Sequence, residues 1–238
     1  GAGASCGITI QGNVYSDEGS TAFGSVSKTV RIKVNGSGSY ADTTLSSGVY
    51  SISGVTAASG AVLTIYLDEA TENATTVTIS NGSNLSNIHL YQDRVILRYE
   101  IGSSITNTNL DQYDSGNETD GIDGDIGFTV TGTALVVSNT RELHVWTGKN
   151  FAPDGSVTTN TGGSGTGGDL HIVGTYTAPA STSIGGNFND AGTYTHSSGT
   201  LTLAGTSKQI TGTPVSESFY GLTISGTISS TRNISVAN

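Results

Sequence analysis

The stretch Gly174-Thr175-Tyr176-Thr177 returns eighteen residues later as Gly192-Thr193-Tyr194-Thr195. Around it, four fragments share one pattern, a hydrophobic residue, any residue, Gly and Thr: Val130-Thr131-Gly132-Thr133, Ile172-Val173-Gly174-Thr175, Ile210-Thr211-Gly212-Thr213 and Ile224-Ser225-Gly226-Thr227. The overall intervals are irregular, but the Gly-Thr pairs at 174, 192 and 212 recur every 18 to 20 residues. That is the length of one coil of a parallel β-solenoid, in which each coil is too small to bury a face alone and does so by stacking on the last. A Gly-Thr pair suits the corner of such a coil, with Gly taking an unusual backbone angle and Thr resuming the strand. The pattern predicts a β-solenoid-like repeat region over residues 91–238, with a second antiparallel sandwich as the alternative.

The first third of the chain has a different rhythm. Ile8-Thr9-Ile10-Gln11-Gly12-Asn13-Val14 and Val30-Arg31-Ile32-Lys33-Val34 alternate apolar and polar residues, as half-buried strands require. Val49-Tyr50-Ser51-Ile52, the apolar run from Ala61 to Leu67, and Thr76-Val77-Thr78-Ile79 continue the series, separated by turn clusters such as Asn35-Gly36-Ser37-Gly38. Short strands at this spacing predict an Ig-like β-sandwich over residues 1–90. No window carries sustained helical spacing, so the expected fold class is all-β: an N-terminal sandwich followed by a C-terminal solenoid.

Composition narrows what such a chain can do. Only 12% of its 238 residues are charged and the net charge is −10, which argues against nucleic acid as a partner. No apolar run reaches 18 residues, so no membrane span is expected. Methionine is absent, so the initiator residue is expected to have been lost, by removal of a leader or by trimming of the chain. Cys6 is the only cysteine, so no intrachain disulfide forms.

The segments "ITIQGNVYSDEG", "KTVRIKVNG", "SSGVYSISGV" and "LTIYLDE" resemble the carboxypeptidase-regulatory and Cna-B type sandwich of secreted and surface proteins. The segments "LHVWTGKNFAPDGSVTT", "GDLHIVGTYTAPASTSIGGNFNDAGTYTHSSGTLTLAGT" and "FYGLTISGT" resemble stretches of long, repeat-rich surface proteins of uncultured bacteria. The two resemblances imply export and display at an extracellular or cell-surface location, not an activity.

Three sets of residues are candidates for chemistry. Asp111, Asp114, Glu118, Asp120, Asp123 and Asp125 crowd one Gly-rich stretch, and carboxylates so spaced suit calcium, although the order departs from an EF-hand loop. Trp146, Phe151, Tyr176 and Tyr194 are candidate glycan-contacting aromatics. His89, His144, His171 and His196 lie far apart with no paired-histidine spacing and read as packing residues. The Gly-rich run at 161–169 lacks a phosphate-binding lysine and reads as a flexible connection.

No convergent set of titratable groups emerges, so the chain is expected to be a non-enzymatic structural protein of a filament, stalk or layer. It would assemble with copies of itself or with other surface proteins through strand-edge pairing at residues 7–14 and 222–237. The alternative is a glycan-binding adhesin module.

Overall fold

The computed structural model describes residues 7–23, 27–44, 47–114 and 124–237, and it is all-β, with 53% strand and 5% helix. The chain divides into two units. The first holds residues up to Gln92 together with Tyr99–Gly102 and Gln112–Ile126; the second holds Asp93–Arg98, Ser103–Asp111 and Gly127–Asn238.

The first unit contains β1 (Ile8–Tyr15), β2 (Thr29–Val34), β3 (Ser37–Thr43), β4 (Val49–Val55), β5 (Ser59–Asp68), β6 (Thr75–Asn81) and β7 (Leu90–Tyr91). Strands β4, β1 and β7 form one sheet, and β6, β5, β2 and β3 lie side by side in another. Alternation places Ile8, Ile10 and Val14 of β1, Tyr50 and Ile52 of β4, Val30 and Ile32 of β2, and Leu63, Ile65 and Leu67 of β5 in one buried cluster. This is the expected sandwich. Strand β3 is not legible in the sequence, because it is a polar edge strand with mostly exposed residues. It follows a tight turn in which Asn35 and Gly36 both have positive φ, 48° and 70°, the pair that a two-residue hairpin of the favoured hand requires.

Strand β1 is paired on both sides, antiparallel with β4 and parallel with β7. The expectation that residues 7–14 offer a free edge is therefore corrected: their backbone groups already serve the centre of a sheet.

The second unit contains β8 (Arg94–Leu97), the short helix α1 (Asn107–Leu110), β9 (Phe128–Thr131), β10 (Ala134–Val137), β11 (Glu142–Val145) and β12 (Asn150–Phe151). It continues with β13 (Val157–Thr159), β14 (Leu170–Ile172), β15 (Thr175–Thr177), β16 (Ser181–Ile184), β17 (Phe188–Asp190) and β18 (Thr193–Thr195). It ends with β19 (Thr200–Leu203), β20 (Thr206–Gly212), β21 (Ser216–Phe219), β22 (Gly221–Ile224), β23 (Thr227–Ser230) and β24 (Asn233–Val236). Parallel pairing stacks β10, β13, β16, β19 and β22 on one side of the coil, and β8, β11, β14, β17, β20 and β23 on a second. The third side is built of β12, β15 and β18, then of β21 and β24. The region is a parallel β-solenoid, as the repeat predicted.

Register explains the repeat residue by residue. Thr175, Tyr176 and Thr177 are the Cα partners of Thr193, Tyr194 and Thr195, so the two copies of the motif occupy the same place in successive coils. Core columns run through the stack: Val95, Leu143, Leu170, Phe188 and Ile210 form one, and Ile184 and Leu203 belong to another. The corner glycines, however, work differently from the expectation. Gly174 and Gly192 do not have positive φ. A Cβ on Gly192 would lie 2.1 Å from the carbonyl oxygen of Gly174, and one on Gly174 would lie 2.2 Å from the carbonyl oxygens of Lys149 and Trp146. Glycine is needed there because backbones of adjacent coils touch, whereas Gly212, at φ 135°, meets the original reasoning as well.

The run at 161–169 is also not a bare linker. Gly168 N–H donates to the carbonyl of Arg141 at 2.8 Å, and Cβ atoms on Gly163 or Gly167 would collide with the carbonyl of Asn139 at 2.1 and 2.0 Å. The extra residues fold against the coil that precedes them.

Candidate functional site

On the second side of the solenoid, strand alternation puts Leu143 and Val145 in the core and sends Glu142 and His144 to the opposite face of β11. Both are nevertheless buried, and so is His171, the Cα partner of His144 in the next coil. Residues i and i+2 of one strand, and the partner of i+2 on its neighbour about 4.8 Å away, surround a common point. At that point Glu142 Oε1 lies 3.0 Å from His144 Nδ1 and 3.5 Å from His171 Nδ1, and the two imidazole rings meet edge to face at 5.0 Å. The Nε of Arg94, whose Cα pairs with that of Glu142 from the other side, approaches the same oxygen at 3.3 Å. Burial alone would raise the Glu142 carboxyl, but the hydrogen bonds and charge of the histidines, with Arg94, hold it down at about 2.

One coil further, Asp169 occupies the place of Glu142. Its Oδ1 accepts from Asn187 N–H at 2.6 Å and its Oδ2 from Asn187 Nδ2 at 3.0 Å, while Asn187 Oδ1 accepts from Gln209 N–H at 3.0 Å. This is a side-chain ladder that follows the stack. Burial pushes the Asp169 carboxyl up to about 6, with help from the negative charge of Glu142.

A second cluster borders a cleft of about 580 Å³ whose lining includes Asp190, Tyr194, His196, Pro214 and Glu217. Asp190 spans a corner, accepting from Gly192 N–H at 3.0 Å and from Tyr194 N–H at 3.1 Å. Glu217 is buried beside it; burial first, and then the charge of Asp190, push the Glu217 carboxyl up to about 7 despite Arg232 Nη2 at 2.9 Å. Arg232 is itself tied to the previous coil, donating to the carbonyls of Pro214 at 2.8 Å and Thr211 at 2.7 Å.

The third feature is the outer face of β22, β23 and β24. Leu203 and Phe219 are closed to solvent at 1% and 0% exposure, yet their Cα partners one coil on, Ile224 and Val236, are 52% and 46% exposed. Strands β22, β23 and β24 are the last members of their sheets and have no neighbour on the far side among the described residues.

Two of the candidate aromatics sit elsewhere than a glycan needs them. Phe151 and Tyr176 are fully buried, and with Tyr194 and Phe219 they form a ladder inside the solenoid, with ring centroids 5.6, 6.0 and 5.4 Å apart in turn. The Tyr176 hydroxyl is satisfied within the core by Thr182 Oγ1 at 2.8 Å, and burial drives its pKa upward. Trp146 is half-buried under the guanidinium of Arg98, 5.2 Å from the ring centroid. The glycan reading of Phe151 and Tyr176 is thus corrected: a strand centre flanked by polar threonines points inward, and these rings pack the core.

Of the candidate calcium residues, Glu118, Asp120 and Asp123 lie outside the described residues. Asp111 and Asp114 bound a 3-10 turn. Asp125 instead turns to Asp68 and Glu69, accepting from Glu69 N–H at 2.7 Å, and Asp68 is paired with Arg31 Nη2 at 2.5 Å. The histidine cluster is not legible within any single strand. The signal is between coils: Glu142-Leu143-His144-Val145 and Asp169-Leu170-His171-Ile172 are the same tetrapeptide in acid, Leu, His and β-branched residue.

No protein-family model matches the chain, and no curated protein or solved structure is similar to it. Among the described residues, no helix is long and apolar enough to cross a membrane.

Proposed function

We propose that this chain is a non-enzymatic structural protein, one unit of an extracellular surface filament, stalk or layer that assembles by strand-edge pairing along β22, β23 and β24. The observation that carries this reading is the open end of the core. Columns sealed at Leu203 and Phe219 surface at Ile224 and Val236, beside three strands whose outer backbone groups have no strand partner among the described residues. Unpaired strand edges next to uncovered apolar side chains are satisfied by an added strand. Natural edges that must stay single carry lysine, inward charge or proline. Here β22, β23 and β24 read Gly-Leu-Thr-Ile, Thr-Ile-Ser-Ser and Asn-Ile-Ser-Val, with none of these. A second copy of the chain supplies the added strand. The surface location follows from the resemblance to displayed sandwich and repeat proteins. A glycan-binding role receives no support from the buried rings of Phe151 and Tyr176.

The test is sedimentation velocity over a hundredfold range of concentration, comparing the natural chain with a variant carrying Ile224→Lys, Ile234→Lys and Val236→Lys. All three side chains are exposed, so the variant keeps its β-sheet circular dichroism. The natural chain forms species that grow with concentration and the variant stays monomeric. A natural chain that is monomeric throughout, or a variant that assembles equally, refutes the proposal.

A further inference from the structure

We infer that Glu142, His144 and His171 form a binding site for a divalent cation of the zinc class, held between two coils of the solenoid. Glu142, His144 and His171 are buried and each presents a ligand atom within 4.8 Å of the others, with Glu142 Oε1 at 3.0 Å from His144 Nδ1 and 3.5 Å from His171 Nδ1.

As a ligand set its spacing fits. Nitrogen and oxygen ligands about 2.1 Å from a zinc ion stand about 3.0 Å apart at right angles and about 3.4 Å apart at the tetrahedral angle. The observed 3.0 Å lies in that interval and the observed 3.5 Å exceeds it by only about 0.1 Å.

The chemistry of the donors selects the ion. Two imidazoles and one carboxylate suit zinc and its neighbours among the first-row metals, whereas calcium and magnesium demand oxygen. Zinc takes four ligands, and these residues supply three of them. Arg94, 3.3 Å from the same oxygen, contributes a competing positive charge that sets the affinity. The site joins His144 on β11 to His171 on β14, so the ion fastens one coil to the next at the place where the 161–169 insertion interrupts the regular coil length. This inference is independent of assembly: a chain that never polymerises still carries the site.

Chelator-stripped full chain is titrated with Zn²⁺ by calorimetry and with Co²⁺ by visible absorption. The expected result is one equivalent of Zn²⁺, and Co²⁺ bands typical of four or five nitrogen and oxygen ligands. His144→Ala and His171→Ala each weaken Zn²⁺ by more than the ~10- to 100-fold that follows loss of an outer partner of a metal ligand. Arg94→Gln strengthens it several-fold, and His196→Ala leaves it unchanged. The Co²⁺ spectrum of the natural chain needs no variant to fold. Absence of a saturable equivalent of Zn²⁺ in the natural chain, or binding indifferent to both histidine variants, overturns the inference.

Discussion

Replacing Gly192 by alanine adds one methyl group where two coils meet, and the structure allows its effect to be worked out. The new Cβ stands 2.1 Å from the carbonyl oxygen of Gly174 and 2.6 Å from that of Val173, against a floor of 3.0 Å for such contacts, so the coils must part by roughly 1 Å. Overpacking of this kind costs about 1–3 kcal/mol. The displaced oxygen also accepts the 2.9 Å hydrogen bond from Thr193 N–H, whose weakening costs up to a further ~1 kcal/mol. Reduced freedom of the unfolded chain returns about 0.5–1 kcal/mol. The net expectation is a loss of about 2 kcal/mol, a drop in midpoint of roughly 5–10 °C for a unit of this size. Gly124→Ala is the control, since its Cβ meets nothing within 4 Å and its φ is not positive. Trp146, the only tryptophan, lies in the solenoid and reports its unfolding by fluorescence. The reasoning fails if Gly192→Ala shifts the Trp146 transition by less than about 0.5 kcal/mol, the range of an ordinary surface substitution.

Two further predictions concern the same stack. Phe188 is fully buried and packs edge to face on Tyr194 at 5.3 Å and Phe219 at 5.5 Å, so Phe188→Ala costs about 3–5 kcal/mol by chemical denaturation. Because coils of a solenoid are coupled to their neighbours, proteolysis of this variant begins in the coils around β17, and uniform loss across the whole chain counts against the stacking account. Glu217 predicts a pH dependence. Its folded carboxyl, raised to about 7 from 4.5, binds its proton more tightly than the unfolded chain does. Its contribution is complete below about pH 4.5 and is lost as pH rises through 7, at most about 3 kcal/mol. Urea unfolding at pH 5 and pH 8 measures it, and Glu217→Gln removes that part of the difference; an unchanged difference in the variant refutes the assignment.

The parts of this fold that are legible in the sequence are those written within a single strand or at a constant interval. Ile8, Ile10 and Val14 alternate along β1 and go to one core, and Tyr176 and Tyr194 are eighteen residues apart because they are partners in neighbouring coils. Features that depend on pairing between distant segments are hidden. His144 and His171 face each other, but the residues at 161–169 lengthen that coil and break the interval that relates the Tyr pair. Strand β3 exists because it closes a hairpin on β2, not because its own residues alternate. The aromatic residues illustrate an ambiguity of composition: a tyrosine between threonines suits a ligand platform or an inward ladder, and the register with Phe151 decides for the ladder.

The central claim is that the outer edge of β22, β23 and β24 is a joint, and amide hydrogen exchange read strand by strand tests it most directly. In the parallel ladder, alternate amides of these strands point away from the preceding coil and are available to an added strand. Raising the concentration of the natural chain slows exchange at those amides, while the amides of β13, paired on both sides by β10 and β16, exchange at a constant rate. Exchange in β22, β23 and β24 that is fast and independent of concentration contradicts the account.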